Sequence, residues 1–482
     1  MKAMHLSEPP LEFGSGQHID IRFGIMNYGP LDCGAPLAPR TIRLGIVGTP
    51  ETIEGAWAWF DRCKSEIDAK ESRQPHLFPR FPGFRTDCGF QSTPVTDARL
   101  QRTISERVFE RLALASDANR IVREAAQLFY DELEQLAQEA RTDVVVCAVP
   151  MVLLNALERE TTPEDLEADG DTEEDPKALD FHHYLKARAM ALRVPIQILR
   201  PSTYDDSKRP QQKRRSDRIR QSQDEATRAW NIHTALYYKA GGVPWRLVRN
   251  TSQLTTCFVG ISFYQELDQS VLRTSIAQVF NERGDGVVVR GGKAQLSKDD
   301  RQPHLDQTDA ATLVRKALDT YRAEHRTLPA RVVLHKSSTY TDDELSGFMT
   351  AVDGMGIDSL DCTSLRSGFT KVFRPGEYPP LRGTLLILDK RHITLYTRGS
   401  VDFFRTYPGL YVPRPLEICC ERVEQTQLYL AQEILALTKM NWNNTQFDGG
   451  APITLRAARQ VSSILKYVRD EEAVEPRYAF YM

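Results

Sequence analysis

Five short runs of the chain, TIRLGIVG (41–48), DVVVCAVP (143–150), PIQILR (195–200), CFVGISFY (257–264) and RVVLHK (331–336), are apolar and rich in β-branched residues. Each is too short for a helix and the right length for a buried strand. Helix-patterned stretches separate them: ETIEGAWAWFDRCKSEI after the first, 103–140 before the second, a segment opening at Asp180, another from Asp224 to a stop at Gly241-Gly242, and one near 310–325. Strands alternating with helices in this way call for parallel sheets with helices on their faces, which is an α/β fold.

With 482 residues the chain can hold two or three domains of ordinary size. The pattern gives an N-terminal extension over 1–40, one α/β domain over 41–250 and a second over 251–482. In the second, a capping box from Thr341 to Glu344 opens a helix over 341–352, with Leu345, Phe348 and Val352 on one face. Strands within GTLLILDK and ITLYTRG and two closing helices follow. No window approaches the roughly 18 uninterrupted apolar residues of a membrane span, and MKAMHLSEPP lacks an apolar signal core, so a cytoplasmic protein with no membrane contact is expected. Cysteines at 33, 63, 88, 147, 257, 362, 419 and 420 form no C-x-x-C pair and read as reduced thiols.

The net charge of −3 announces no global polyanion binder. Locally, 160–175 carries nine acids and no base, whereas 208–220 carries seven bases and one acid. Both blocks read as solvated loops, the basic one being also able to track phosphates. Two motif fragments fail. GDGVVVRGGKA lacks the glycine spacing of a phosphate loop and has Ala294 where a hydroxyl should bind magnesium. Val259-Gly260-Ile261-Ser262-Phe263 lacks the second glycine of a nucleophile elbow, so Ser262 is not a nucleophile.

A more specific constellation begins at Asp180. In DFHHYLKARAMAL, His182 and Lys186 lie four apart, on one face of a helix whose positive end suits an anion. Gln197 follows on the next strand, and Lys239 stands one turn before the glycine stop of the next long helix. The order and context of these four residues resemble the pocket in which short prokaryotic Argonautes, built of MID and PIWI domains only, hold the 5′-phosphate of a guide strand. The resemblance covers nearly the whole chain. LEFGSGQHIDIRFGIMNYGPLD and FPRFPGF are similar to the family's opening, and KARAMALRVPIQILRPSTY to its MID core. TYPGLYVPRPLEI and EILALTKMNWNNTQFDGGAPITLRAA are similar to its closing half, where Thr438, Lys439, Asn441 and Asn443 match the most characteristic run. The pattern departs at Ala235, where family members often carry a polar residue.

The resemblance implies a Rossmann-like MID domain followed by a ribonuclease-H-like PIWI domain. It also implies a structural Mg2+ ion at the guide phosphate, with the C-terminal carboxylate of Met482 folding back towards it. Active PIWI domains cut with two metal ions held by carboxylates. Ser262 stands where the first carboxylate belongs, Lys336 is read at the third position, and the closing helix offers Ala457. Glu266 is four residues past Ser262, ~13 Å along a strand, and is too far to substitute. No catalytic residue is expected, and the chain should bind without cutting. The resemblance further implies a guide RNA with a 5′-phosphate and a complementary single-stranded DNA target from plasmid or phage. It implies a partner chain with an APAZ region and a sirtuin-like domain, or alternatively a TIR domain, that degrades NAD in prokaryotic immunity. The competing reading is a guide-dependent nuclease that cleaves its target.

Overall fold

The computed structural model describes the chain apart from residues 159–177, 209–222, 249–253, 268–270, 281–285, 375–378, 405–411, 470–471 and 473. The acidic run, and the basic block except Lys208, lie outside the described residues. The chain divides into two compact units: Ile25–Pro244 with Trp442–Thr445, and Met1–Gly24 with Trp245–Asn441 and Gln446–Met482. The segment 1–40 is thus divided between them, 1–24 going with the later half of the chain.

In the unit of Ile25–Pro244, strands β1 (Thr41–Gly48), β2 (Val144–Ala148) and β3 (Ile196–Leu199) lie side by side in parallel. The short strands Thr93–Val95 and Gln101–Thr103 also pair with β1 in parallel. Four helices matter here: α1 (Pro50–Arg62), α2 (Ala118–Glu139), α3 (Phe181–Ala189) and α4 (Glu225–Lys239). Along α2, Ile121, Val122, Ala125, Phe129, Leu133 and Leu136 recur at helical spacing and join Val145 and Cys147 of β2 in one core. The helical pattern over 103–140 resolves into two helices, Glu106–Leu112 and α2, because the Asp117 carboxylate accepts the Arg120 N–H and starts the second afresh. Asp224 caps α4 in the same manner, accepting the Thr227 N–H, and Gly241 ends it with φ of +92°.

The other unit is built on a ten-stranded sheet. In chain order its main strands are β4 (Thr256–Gln265), β5 (Leu272–Phe280), β6 (Gly286–Leu296), β7 (Arg331–Lys336), β8 (Ser359–Ser367), β9 (Thr384–Ile387), β10 (His392–Leu395) and β11 (Leu416–Arg422). They are ordered β9-β10-β11-β8-β7-β4-β5-β6, with Lys2–His5 added outside β9 and Pro303–His304 outside β6. The pairs β4–β7 and β7–β8 are parallel, and the others are antiparallel. Helices α5 (Gln307–His325) and α6 (Asp342–Asp353) bury one face of the sheet against Cys257, Val259, Ile261, Val332 and Leu334. Helices α7 (Gln427–Leu437) and α8 (Ile453–Leu465) cover the other face, where Leu365, Ile393, Ile418, Ile434 and Leu455 share a core. The capping box at Thr341 and Glu344 is present, with both reciprocal bonds made.

Residues 1–24 are fastened into this unit by charge. The Glu8 carboxylate accepts from Arg382 Nε at 2.8 Å and pairs with Lys439 Nζ at 2.9 Å. Lys439, fully buried, also donates to the carbonyls of Pro9 and Ile19 at 2.6 and 2.7 Å. Arg382 bonds Thr438 Oγ1 at 2.9 Å. The run that carried the family resemblance through Thr438 and Lys439 therefore anchors the amino-terminal segment. Glu8→Ala strands two buried cations. It should destabilise this unit by about 3–5 kcal/mol, seen as a lower urea midpoint at unchanged slope.

Candidate functional site

Two sites follow from the sequence, one in each unit. In the first, α3 starts at Asp180, whose carboxylate accepts the His183 N–H at 2.7 Å and lies 3.0 Å from His183 Nδ1. A side-chain carboxylate thus already occupies part of the helix end that suits an anion. The positive potential of the site comes instead from its lysines. Lys186 and Lys239 are 3% and 5% exposed, and lysine is rarely buried so deeply. Lys239 Nζ donates to the Ile196 carbonyl at 2.9 Å and to Gln197 Oε1 at 2.7 Å, both neutral oxygens. Gln197 turns its amide N–H to the Ile198 carbonyl at 3.1 Å. The structure therefore brings Gln197 and Lys239 into direct contact and sets Lys186 within electrostatic reach of Lys239.

The proton equilibria reflect this crowding. Burial, and then the like charge of Lys239, push Lys186 well below the usual ammonium range, with Asp180 pulling the other way. Burial brings Lys239 down to about 7. Burial, followed by Lys186 and His183, pushes the His182 imidazole well below its ordinary value, so it is neutral at physiological pH. His182 stacks edge to face on His183, with ring centroids 5.2 Å apart. Among the described residues, the ligand atoms of Asp180, His182 and His183 also lie within 4.8 Å of one another, a spacing that could hold a metal ion. Two imidazoles and one carboxylate suit a transition ion better than Mg2+, which favours oxygen ligands. Met482 is buried and belongs to the other unit.

In the second site the register of the sheet decides which side chains share a face. Ile261 on β4 pairs with Lys336 on β7. Ile261 and Leu334 point to α5 and α6, so Lys336, two residues past Leu334, points there too. Its fully buried ammonium bonds both Glu344 oxygens, at 2.6 and 2.7 Å, and the Thr339 carbonyl at 2.6 Å. Glu344 also accepts the Leu305 and Thr341 N–H groups and lies 3.2 Å from His304 Nδ1.

Ser262 lies on the opposite face, under α8. Gly260, two residues earlier, must be glycine because a Cβ there would fall 2.1 Å from the Thr454 carbonyl. On the same face His335 Nδ1 meets Thr454 Oγ1 at 2.8 Å, and Ser275, the partner of Ser262 on β5, donates to the Ala458 carbonyl at 2.9 Å. Lys336 is therefore not the counterpart of Ser262, and that assignment is corrected. The ladder continues one step, the Ser337 N–H donating to the Ile261 carbonyl at 3.2 Å, and Ser337 is the residue that faces Ser262. One step further along the β7–β8 register stands Leu365. The row across four strands is Ser275, Ser262, Ser337 and Leu365, with Ala457 buried on the covering helix. Asp361 shares the face but is level with Val333, ~13 Å back along the strands, and is paired with Arg331 at 2.6 Å.

Solved structures with a similar fold are Argonaute and Piwi proteins. Clostridium butyricum Argonaute bound to a guide DNA and a 19-mer target DNA matches with a TM-score of 0.66 and 14% identity, over 97% of this chain and 53% of that one. Drosophila Piwi matches with a TM-score of 0.59 and 11% identity, over 99% and 56%. Marinitoga piezophila Argonaute in complex with a 5′ OH guide RNA matches with a TM-score of 0.56 and 10% identity, over 100% and 59%. The chain thus spans between 53% and 59% of the length of these proteins. The α/β fold, with its parallel strands and flanking helices, is similar to that of MID and PIWI domains. No family model matches the chain, and no curated protein matches it.

The depressed Lys239 value fixes a pH dependence. Between about 7 and the ordinary lysine value the unfolded chain holds a proton that the folded chain has lost, so this group adds stability as pH rises through that window. Thermal melts from pH 7 to pH 9 should therefore show the wild-type Tm rising relative to that of Lys239→Met.

Proposed function

We propose that the chain is a guide-binding protein of the short, MID–PIWI Argonaute type, which holds the 5′-phosphate of an RNA guide at Lys186 and Lys239. The observation that carries this reading is the pair of buried lysines, one held by neutral oxygens and both depressed by burial. A terminal phosphate brings one and a half to two negative charges and three acceptor oxygens, which suit a pair of buried ammonium groups. His182, neutral, supplies a flat ring beside it, and Gln197 fixes the direction of Lys239. A structural Mg2+ ion is proposed at the phosphate, whose oxygens suit it, and not at the cluster of Asp180, His182 and His183.

A held guide presents its bases to a complementary single-stranded DNA, so pairing carries the sequence specificity. The Clostridium protein was solved with guide and target DNA and the Marinitoga protein with guide RNA, which supports guide and target strands as ligands here. The row of Ser275, Ser262, Ser337 and Leu365 supports a protein that binds without cutting, because two-metal cleavage needs carboxylates there. The output is then assigned to a partner chain with an APAZ region and a sirtuin-like domain, or a TIR domain in its place. On recognition of plasmid or phage DNA in the cytoplasm, that partner would degrade NAD. Among the described residues no helix is long and apolar enough to cross a membrane.

Two measurements test this reading. Lys186→Glu combined with Lys239→Glu should abolish retention of a 5′-phosphorylated guide by the full chain while leaving its melting transition cooperative. Unchanged retention would remove the pocket. Incubation of the wild type with phosphorylated guide, complementary target and Mn2+ should leave the target intact, whereas a cut product would favour the guided-nuclease reading.

A further inference from the structure

After β8 the chain continues in an extended course over 368–374, and exposure alternates along it. Phe369, Lys371 and Phe373 face solvent, while Thr370, Val372 and Arg374 are half-buried. Phe369 and Phe373 are 76% and 71% exposed, an unusual cost for two large aromatic side chains so close together. Their exposure is imposed from below. The ring of Tyr396 is fully buried, and its hydroxyl donates to the Thr370 carbonyl at 2.7 Å and accepts the Val372 N–H at 3.0 Å. One phenol thus ties down the two inward positions and fixes the outward three. The Gly368 N–H bonds the Pro415 carbonyl at 2.8 Å, fastening the start of the segment to the residue that leads into the adjoining strand β11.

The charge around these rings is mostly positive. The described residues of 366–374 and 412–418 include the cations Arg366, Lys371, Arg374 and Arg414 and one carboxylate, Glu417. The Arg414 guanidinium lies over the Phe369 ring, 5.3 Å from its centroid. Lys371 donates to the Val412 carbonyl at 3.0 Å and Arg374 to the Pro379 carbonyl at 3.1 Å, so both stems are positioned. Glu417 is turned to the Phe369 N–H, at 3.3 Å.

We infer that this segment is a stacking platform for single-stranded nucleic acid, with bases on Phe369 and Phe373 and a phosphate at Lys371 between them. Single strands are held by aromatic faces that tolerate any base together with cations that follow the backbone. The two rings are four residues apart, ~13 Å along an extended chain, which leaves room for a backbone phosphate at the lysine between them. A protein partner fits less well, because lysine is depleted at the centre of protein interfaces and here it lies between the two apolar anchors. The inference rests on the proposed reading of the chain as a nucleic-acid binder, and adds a contact independent of the phosphate pocket.

The test uses the full chain and two fluorescent single-stranded RNA oligonucleotides of one sequence, one 5′-phosphorylated and one 5′-hydroxyl, with anisotropy as the readout. Phe369→Ala/Phe373→Ala should weaken binding of both oligonucleotides about tenfold or more, while the ratio between their affinities stays that of the wild type. Phe369→Trp/Phe373→Trp should restore binding, and Lys371→Ala should flatten its salt dependence. Both phenylalanines are exposed, so an unchanged melting temperature shows that the variants fold. Wild-type affinity in the double alanine variant overturns the platform and leaves the two rings to a protein partner, without touching the phosphate pocket. A wild type indifferent to the 5′-phosphate, with affinity still lost in that variant, keeps the platform and overturns the pocket. A wild type that binds neither oligonucleotide overturns both.

Discussion

A buried ammonium ion is stable only if its surroundings replace the water it has lost, and the failure of that replacement costs several kcal/mol. Among the described residues the chain buries four lysines: Lys186, Lys239, Lys336 and Lys439. Two are answered by glutamate. Lys336 bonds both oxygens of Glu344, and Lys439 shares Glu8 with Arg382. Each pair does architectural work beyond cancelling charge. Glu344 joins the end of β7 to the start of α6 and to the backbone at Leu305, and Glu8 ties residues from the amino terminus to Arg382 and Lys439. The other two lysines sit beside one another with Asp180 as the attracting carboxylate, and Lys239 rests on neutral oxygens. One chain thus buries the same side chain in two different electrostatic settings. Any anion that binds only the folded form would offset the unfavourable burial and raise stability by mass action.

What the sequence made legible follows the range of the interactions involved. The strands β2, β4 and β7 announce themselves because they are almost wholly buried and so read as continuous apolar runs, and β1 and β3 because most of their residues are apolar. The caps at Asp180, Asp224 and Thr341 are local and also readable. Strand β8, SLDCTSLRS, escapes notice because its buried positions include Asp361, Thr363 and Ser364, polar residues that a hydrophobic pattern excludes. Asp361 is tolerated there because Arg331 and the backbone N–H groups of Glu424 and Gln425 meet its oxygens. His182, Lys186, Gln197 and Lys239 are legible by spacing, but their electrostatic state depends on contacts from β3 and α4 that no spacing reveals. Lys336 shows the limit most sharply. A strand presents alternate residues to opposite faces, so a reading one position out moves a side chain through the sheet, and only the pairing with β4 reveals the slip.

That one-residue slip changes the physical account of the nuclease-like face. Lys336 repels no metal there, since its charge is on the far side and cancelled by Glu344. The feature that bears on cleavage is the row of hydroxyl and apolar side chains under α8. Carboxylates gathered for two metal ions repel one another whenever the ions are absent, and such a cluster is held at a cost in stability. Ser275 incurs no such cost. Its hydroxyl donates to the Ala458 carbonyl and lies 2.7 Å from Ser462 Oγ, while His335 meets Thr454 on the same helix. Gly260 lets the start of that helix come within the space a single methyl group would fill. Each of these contacts draws α8 onto the sheet, so this stretch of the face is organised as a packing interface. A carboxylate placed at Ser262 would stand beside Ser275, in a row whose other members are hydroxyl and apolar side chains.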